Sequence, residues 1–187
     1  MNPDGAKIEL LYGKKSHDTG TNPAEDVHFL QPRELEDGRV MTLLRPFTDT
    51  EGGGELVVID TPQYVEISQA TSPNLGILRG PAQEDATVNE VSTEPGAPSR
   101  GGRYSSVYPI LDGTGRLLVS FSQCRLIEQL PDDGDMNTPD TQIVACTDER
   151  FANLFVQPDP DNPVTPDVGS FVTAPPLYGI WMYDPPR

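Results

Sequence analysis

Apolar residues along this chain fall into short blocks separated by polar punctuation. The blocks are Ile8–Tyr12, Val40–Leu44, Leu56–Ile59, Tyr64–Ile67, Leu117–Phe121, Gln142–Ala145, Phe171–Thr173 and Ile180–Tyr183. Each is rich in β-branched or aromatic residues and bounded by Gly, Pro, Asp or Asn, as strands joined by turns are. Almost no segment places apolar residues at the three-to-four spacing of a helix face. Arg125–Gln129 would suffice for one helical turn, but it directly follows a strand block and is too short to stand alone. The pattern predicts an all-β chain.

Four of these blocks belong to an internal repeat in two parts. Its first half, Pro32-Arg33-Glu34-Leu35-Glu36-Asp37-Gly38-Arg39-Val40, recurs as Pro109-Ile110-Leu111-Asp112-Gly113-Thr114-Gly115-Arg116-Leu117. In both copies a proline leads through an Asp-Gly turn to an arginine that opens an apolar strand. Glycine takes positive φ without steric cost, and the aspartate side chain accepts a hydrogen bond from the turn's own backbone. The second half, Glu55–Asp60, recurs as Gly179–Asp184: an apolar strand entered through glycine and closed by aspartate. The first copy runs 28 positions from Pro32 to Asp60 and the second 75 from Pro109 to Asp184, so 47 residues are inserted in the second, at about 123–176. The expected organisation is a unit end over 1–12, a unit over 28–67, a weakly patterned stretch over 68–103, and a second unit with its insertion over 104–187.

Composition sharpens this picture. Pro and Gly number 20 and 17 of 187 residues, so turns are frequent. Extended disorder would share that composition, but the patterned apolar blocks favour an ordered chain. The net charge of −16, with 13 Lys and Arg, argues against a nucleic-acid partner, whose phosphates need cationic contacts. It argues equally against anionic membrane surfaces. No apolar run reaches the length of a membrane span, and Met1–Gly13 lacks the basic and apolar regions of a signal peptide.

Cys124 and Cys146 are the two cysteines, and both fall in the insertion. They form no C-x-x-C pair, and His17 and His28 lie too far along the chain for an obvious zinc site. A disulfide closing the intervening loop is the favoured reading, with two buried thiols as the alternative. Such a bridge would pin the base of the insertion and implies an oxidising compartment.

Met1–Gly5 resembles the end-of-blade turn of TolB-like β-propeller repeats. Leu35–Arg39 and Leu111–Arg116 resemble the P-D-G-x turn of those repeats, while Gly54–Asp60 and Tyr178–Asp184 resemble the G-x-L-x-V-x-D strand that follows it. Gly102–Pro109 with Leu117–Ser120 is similar to a narrower group, the propeller domain of exported bacterial proteins related to the hydrazine synthase alpha subunit. The resemblance covers about half of the chain. It implies blade-like four-stranded antiparallel repeats forming a partial β-propeller. It also implies a periplasmic or extracellular location, with a signal peptide outside this chain. The covalent haem motifs of the haem-bearing members do not occur here, so no redox role transfers to any residue. A closed ring needs at least four blades. Two recognisable units, starting and stopping at equivalent points of the repeat, lead to the expectation of a piece of a longer protein whose remaining blades lie in the same or another chain.

Several stretches carry candidate chemistry. Ser16-His17-Asp18-Thr19-Gly20 contains the Asp-Thr-Gly of aspartic proteases, but no second copy exists to share a proton with it. His17 and Asp18 are instead candidate binding groups on a loop. Gln31, Arg33 and Arg45 lie near strand ends, where binding groups collect, and Tyr104 lies beside Arg103, Ser105 and Ser106 with no G-x-S-x-G turn to make a hydrolase nucleophile. Asp132, Asp133 and Asp135 head an oxygen-rich loop that suits calcium, although the D-x-[DN]-x-[DN]-G frame is absent. Trp181 and Tyr183 share one face of a strand and are expected to pack between blades. The expected function is a non-catalytic binding or scaffold module of the cell envelope, with a protein or small molecule as ligand. The alternative is the propeller portion of a larger redox enzyme whose haem domains lie elsewhere.

Overall fold

The computed structural model describes residues 9–13, 27–46, 53–77, 80–87, 90–92, 98–130, 134, 140–147, 149 and 171–184. These are all-β: twelve strands and a 3-10 turn at Ser72–Asn74, with every strand pairing antiparallel. The strands form four separate sheets, and none of them closes on itself.

The largest sheet is a meander in chain order, made of β1 (Val27–Glu34), β2 (Val40–Pro46), β3 (Glu55–Ile59) and β6 (Gln83–Asp85). A second sheet repeats the first three positions with β7 (Arg103–Pro109), β8 (Leu117–Ser122) and β12 (Gly179–Tyr183). The two copies of the repeat's first half thus become hairpins of the same kind. Leu35 N–H donates to Arg39 C=O at 2.8 Å in the first turn, and Ile110 N–H donates to Arg116 C=O at 2.9 Å in the second. Gly38 (φ 83°) and Gly113 (φ 77°) supply the left-handed residues that these turns require.

The two sheets pack face to face. Leu56 and Val58 on β3, with Met41 and Leu43 on β2, meet Val107 on β7 and Leu117 and Val119 on β8. Strand alternation sends Val57 and Ile59 to the opposite face, where they join Tyr12, Tyr64 and Ala82 in a second cluster. The first sheet is therefore buried on both sides. At the start of β3 its backbone is bridged to the second sheet, where Gly54 and Tyr104 exchange backbone hydrogen bonds of 2.8 and 3.0 Å. A Cβ on Gly54 would strike the carbonyl oxygen of Leu44, so the close approach there depends on glycine.

Between β8 and β12 the chain builds a small sheet of its own from β9 (Arg125–Gln129), β10 (Thr141–Ala145) and β11 (Phe171–Thr173), in the order β10-β9-β11. Cys124 and Cys146 form a disulfide at its end, with their Cα atoms 5.4 Å apart. Leu126 and Cys146 are buried there against Cys124, Val144 and Phe171.

The structure departs from the sequence expectations at two places and completes them at two others. Arg125–Gln129 is strand β9, because pairing on both sides by β10 and β11 supplies the hydrogen bonds that a lone helical turn would lack. Glu9–Tyr12 is not a strand, and Tyr12 instead inserts its ring against Phe29 at 5.7 Å. The weakly patterned stretch 68–103 carries short strands. It contains β6 and β5 (Gln69–Ala70), and β5 pairs with β4 (Tyr64–Glu66) in the fourth sheet. Trp181 is 46% exposed, standing edge-on to Phe121, whereas Tyr183 packs against the main core as expected.

Candidate functional site

The two Asp-Gly turns lie side by side because their sheets are stacked, and a cleft of about 560 Å³ opens between them. That volume is within the usual range for a small-molecule site. Its floor is apolar, with Met41, Val58 and Leu117 rising from the core and Leu35 and Ile110 from the turns. Its rim is charged. Arg39 Nε lies 2.7 Å from Asp37 Oδ2, its Nη1 lies 3.7 Å from Glu84 Oε2, and Arg116 Nη2 lies 2.8 Å from Asp112 Oδ2. The same turn chemistry, repeated, therefore puts a paired arginine on each wall: Arg39 beside Asp37 on one, and Arg116, held from behind by Asp112, on the other.

Hydrogen bonding fixes the ionisation of those aspartates. The hydroxyl of Thr114 and then the Arg116 guanidinium hold the Asp112 carboxyl down at about 2. The backbone N–H of Arg39, more than its guanidinium, holds Asp37 below the usual carboxylate range. Both remain anions under any ordinary condition, so the rim presents fixed charges over a greasy floor. Groups of this kind orient a ligand whose apolar part fills the floor.

A second feature lies at the far end of β3. Burial pushes the Glu55 carboxyl up to about 7, and the charge and hydrogen bond of the neighbouring Asp85 push in the same direction. Its ordinary value is 4.5. Between those values the folded chain holds a proton that the unfolded chain releases, so stability falls as pH rises through that window. Glu55→Gln, which keeps the shape and removes the titration, is expected to flatten this dependence. The gain at about pH 8 is on the order of 1 kcal/mol, because the side chain is half open to solvent and screened. Urea midpoints of both proteins at about pH 5 and about pH 8 measure it, and an equal slope in the two would refute the assignment.

The residues singled out from sequence go elsewhere. Gln31 (φ 54°) sits in the bulge of β1, and its Nε2 donates to Ser105 C=O at 3.0 Å. Arg33 lies 5.9 Å from the centroid of the Tyr108 ring. Tyr104 is buried, with its ring 4.9 Å from that of Phe121, and burial raises its phenol above the ordinary value. These three residues join the first sheet to the second, outside the cleft. Ser105 Oγ donates to Ser120 Oγ at 2.8 Å within the second sheet. His17, Asp18 and the calcium candidates Asp132, Asp133 and Asp135 lie outside the described residues. Among the described residues no three His, Cys, Asp or Glu side chains converge as metal ligands would.

Asp37, Arg39, Asp112 and Arg116 are legible in the sequence as turn residues, but not the fact that Asp37, Arg39 and Arg116 line one cleft. Their recurrence as D-G-R and D-G-T-G-R was the available signal. Glu55 and Asp85 left no such signal, because their meeting depends on β6 pairing with β3.

The fold and the cleft define a class: an all-β protein of stacked antiparallel meanders with an open inter-sheet cleft. No family model, curated protein or solved structure matches the chain.

Proposed function

We propose that the chain is a binding module of β-propeller architecture that works outside the cytoplasm and takes its ligand in the cleft between the two Asp-Gly turns. The observation that carries this reading is the cleft itself, an apolar floor between two walls of equivalent turn residues. The blade-like order of the strands supports the architecture: β1-β2-β3-β6 and β7-β8-β12 are sequential meanders packed one on the other. The Cys124–Cys146 disulfide supports an oxidising compartment, and among the described residues no helix is long and apolar enough to cross a membrane.

A fragment screen followed by amide chemical shifts tests the reading. Ligands are expected to move the signals of Leu35–Arg39 and Ile110–Arg116 together, since the two turns line one space. Leu111→Asp removes an apolar group that is 59% exposed at the cleft and is expected to weaken such ligands by about tenfold, with stability changed by less than about 0.5 kcal/mol. Shifts confined to one turn, or affinity indifferent to Leu111→Asp, would count against it.

A further inference from the structure

The third strand of each meander differs in one respect. The outer edge of β3 is covered by β6, through Val57↔Asp85, Val58↔Glu84 and Ile59↔Gln83. Its repeat counterpart β12 pairs with β8 alone among the described residues, so the second sheet ends one strand short of the first. An open edge is a template for another strand, and proteins commonly guard such edges with charge, proline or a bulge. Gly179-Ile180-Trp181-Met182-Tyr183 carries no charge and no proline, and it pairs with β8 over five consecutive residues without a shift.

The face beside this edge is also apolar. Direct pairing aligns Met182 with Leu118 and Tyr108 in one row, and Ile180 lies on the same face in the next. Their exposures are 53%, 40%, 58% and 82%. On the first sheet the equivalent residues Met41, Leu56 and Val58 lie in or against the main core.

We propose that β12 pairs antiparallel with β12 of a second copy of this chain, giving a two-fold dimer with a continuous six-stranded sheet. The strand is self-complementary in this arrangement. With Trp181 on the two-fold, Ile180 of each copy faces Met182 of the other, and Gly179 faces Tyr183. Apolar rows thus meet apolar rows, and the smallest residue lies opposite a large ring. Such an interface is isologous and closes at two copies. A head-to-tail chain, in which the exposed face of one copy covers the back of the first sheet in another, is obstructed: that back face already holds Tyr12 and Tyr64.

The charge of −16 on each copy opposes the approach and gives the proposal a sign. Raising the salt from about 0.05 M to about 0.5 M screens the repulsion, so the dimer is expected to tighten by about tenfold, whereas binding of a basic peptide at the same edge would weaken. Sedimentation of the full chain at concentrations from about 1 µM to about 500 µM reads this equilibrium. Trp181, the one tryptophan in the chain, reports the place, and its emission is expected to shift to the blue as the dimer forms. Ile180→Lys changes a residue that is 82% exposed and is expected to leave a monomer with an unaltered melting temperature; Met182→Glu is expected to do the same. A chain that stays monomeric throughout overturns the proposal. So does a dimer that survives both substitutions, or one that forms without any change at Trp181. None of these outcomes bears on the cleft, which the Leu111→Asp experiment tests separately.

Discussion

Leu56→Ala is expected to lower the stability of the folded chain by about 3–4 kcal/mol, the upper part of the range for a fully enclosed leucine. Leu56 is 0% exposed and lies at the middle of the contact between the two large sheets, touching a cluster drawn from β2, β7 and β8. Truncation there removes apolar contacts that both sheets share. The flanking strands are held by paired backbone on both sides of β3, which limits collapse into the cavity. Against a typical total of about 5–15 kcal/mol, this loss leaves a marginal protein. Urea unfolding followed by Trp181 emission measures it, with Leu118→Ala as the control. Leu118 occupies the other face of β8 at 40% exposure, and its truncation is expected to cost under about 1 kcal/mol. Equal effects at the two sites would mean that the stacked sheets do not hold the main core.

That core was legible wherever burial is written as an apolar block. β2, β3 and β8 each coincide with one, since their side chains alternate between a filled face and a second surface that also tolerates apolar groups, and β10, β11 and β12 coincide with apolar blocks as well. β1 was absent from the apolar blocks because of its own content: His28, Gln31, Pro32 and Arg33 interrupt the pattern. An edge strand can accept the proline, and the bulge at Gln31 absorbs the irregular residue. β6 was hidden because Gln83-Glu84-Asp85 is polar throughout, and it is a strand only because β3 offers it an edge. The same reason separates the turns from the cleft. Asp-Gly fixes the local backbone of each hairpin from four or five neighbouring residues. The distance between the two hairpins is set by how the sheets stack, and that information lies in Leu56, Val107 and Leu117 rather than in the turns. Gln31, Arg33 and Tyr104 attracted notice as polar or aromatic groups at strand ends, and they are used to join those sheets.

Reduction of the Cys124–Cys146 bond is expected to have the second largest effect, and a local one. The cross-link closes a loop with a sequence separation of 22, for which the chain-entropy account gives about 3 kcal/mol. The sheet it serves has little else, since Leu126 and Cys146 are its only fully buried apolar residues among those described. A core of two side chains cannot offset the ordering of three strands without help. The main core draws nothing from β9, β10 or β11. Replacing both cysteines with alanine is therefore expected to strip amide protection from Leu126, Ile127 and Val144 while Leu56, Val107 and Val119 keep theirs, as hydrogen exchange would show. Because Cys146 is 2% exposed, reductant alone should act slowly on the folded chain, at a rate set by opening of this sheet. If protection were instead lost in both regions together, the small sheet would be part of one cooperative unit with the stacked meanders. The disulfide would then stabilise the whole fold and not only the excursion between β8 and β12.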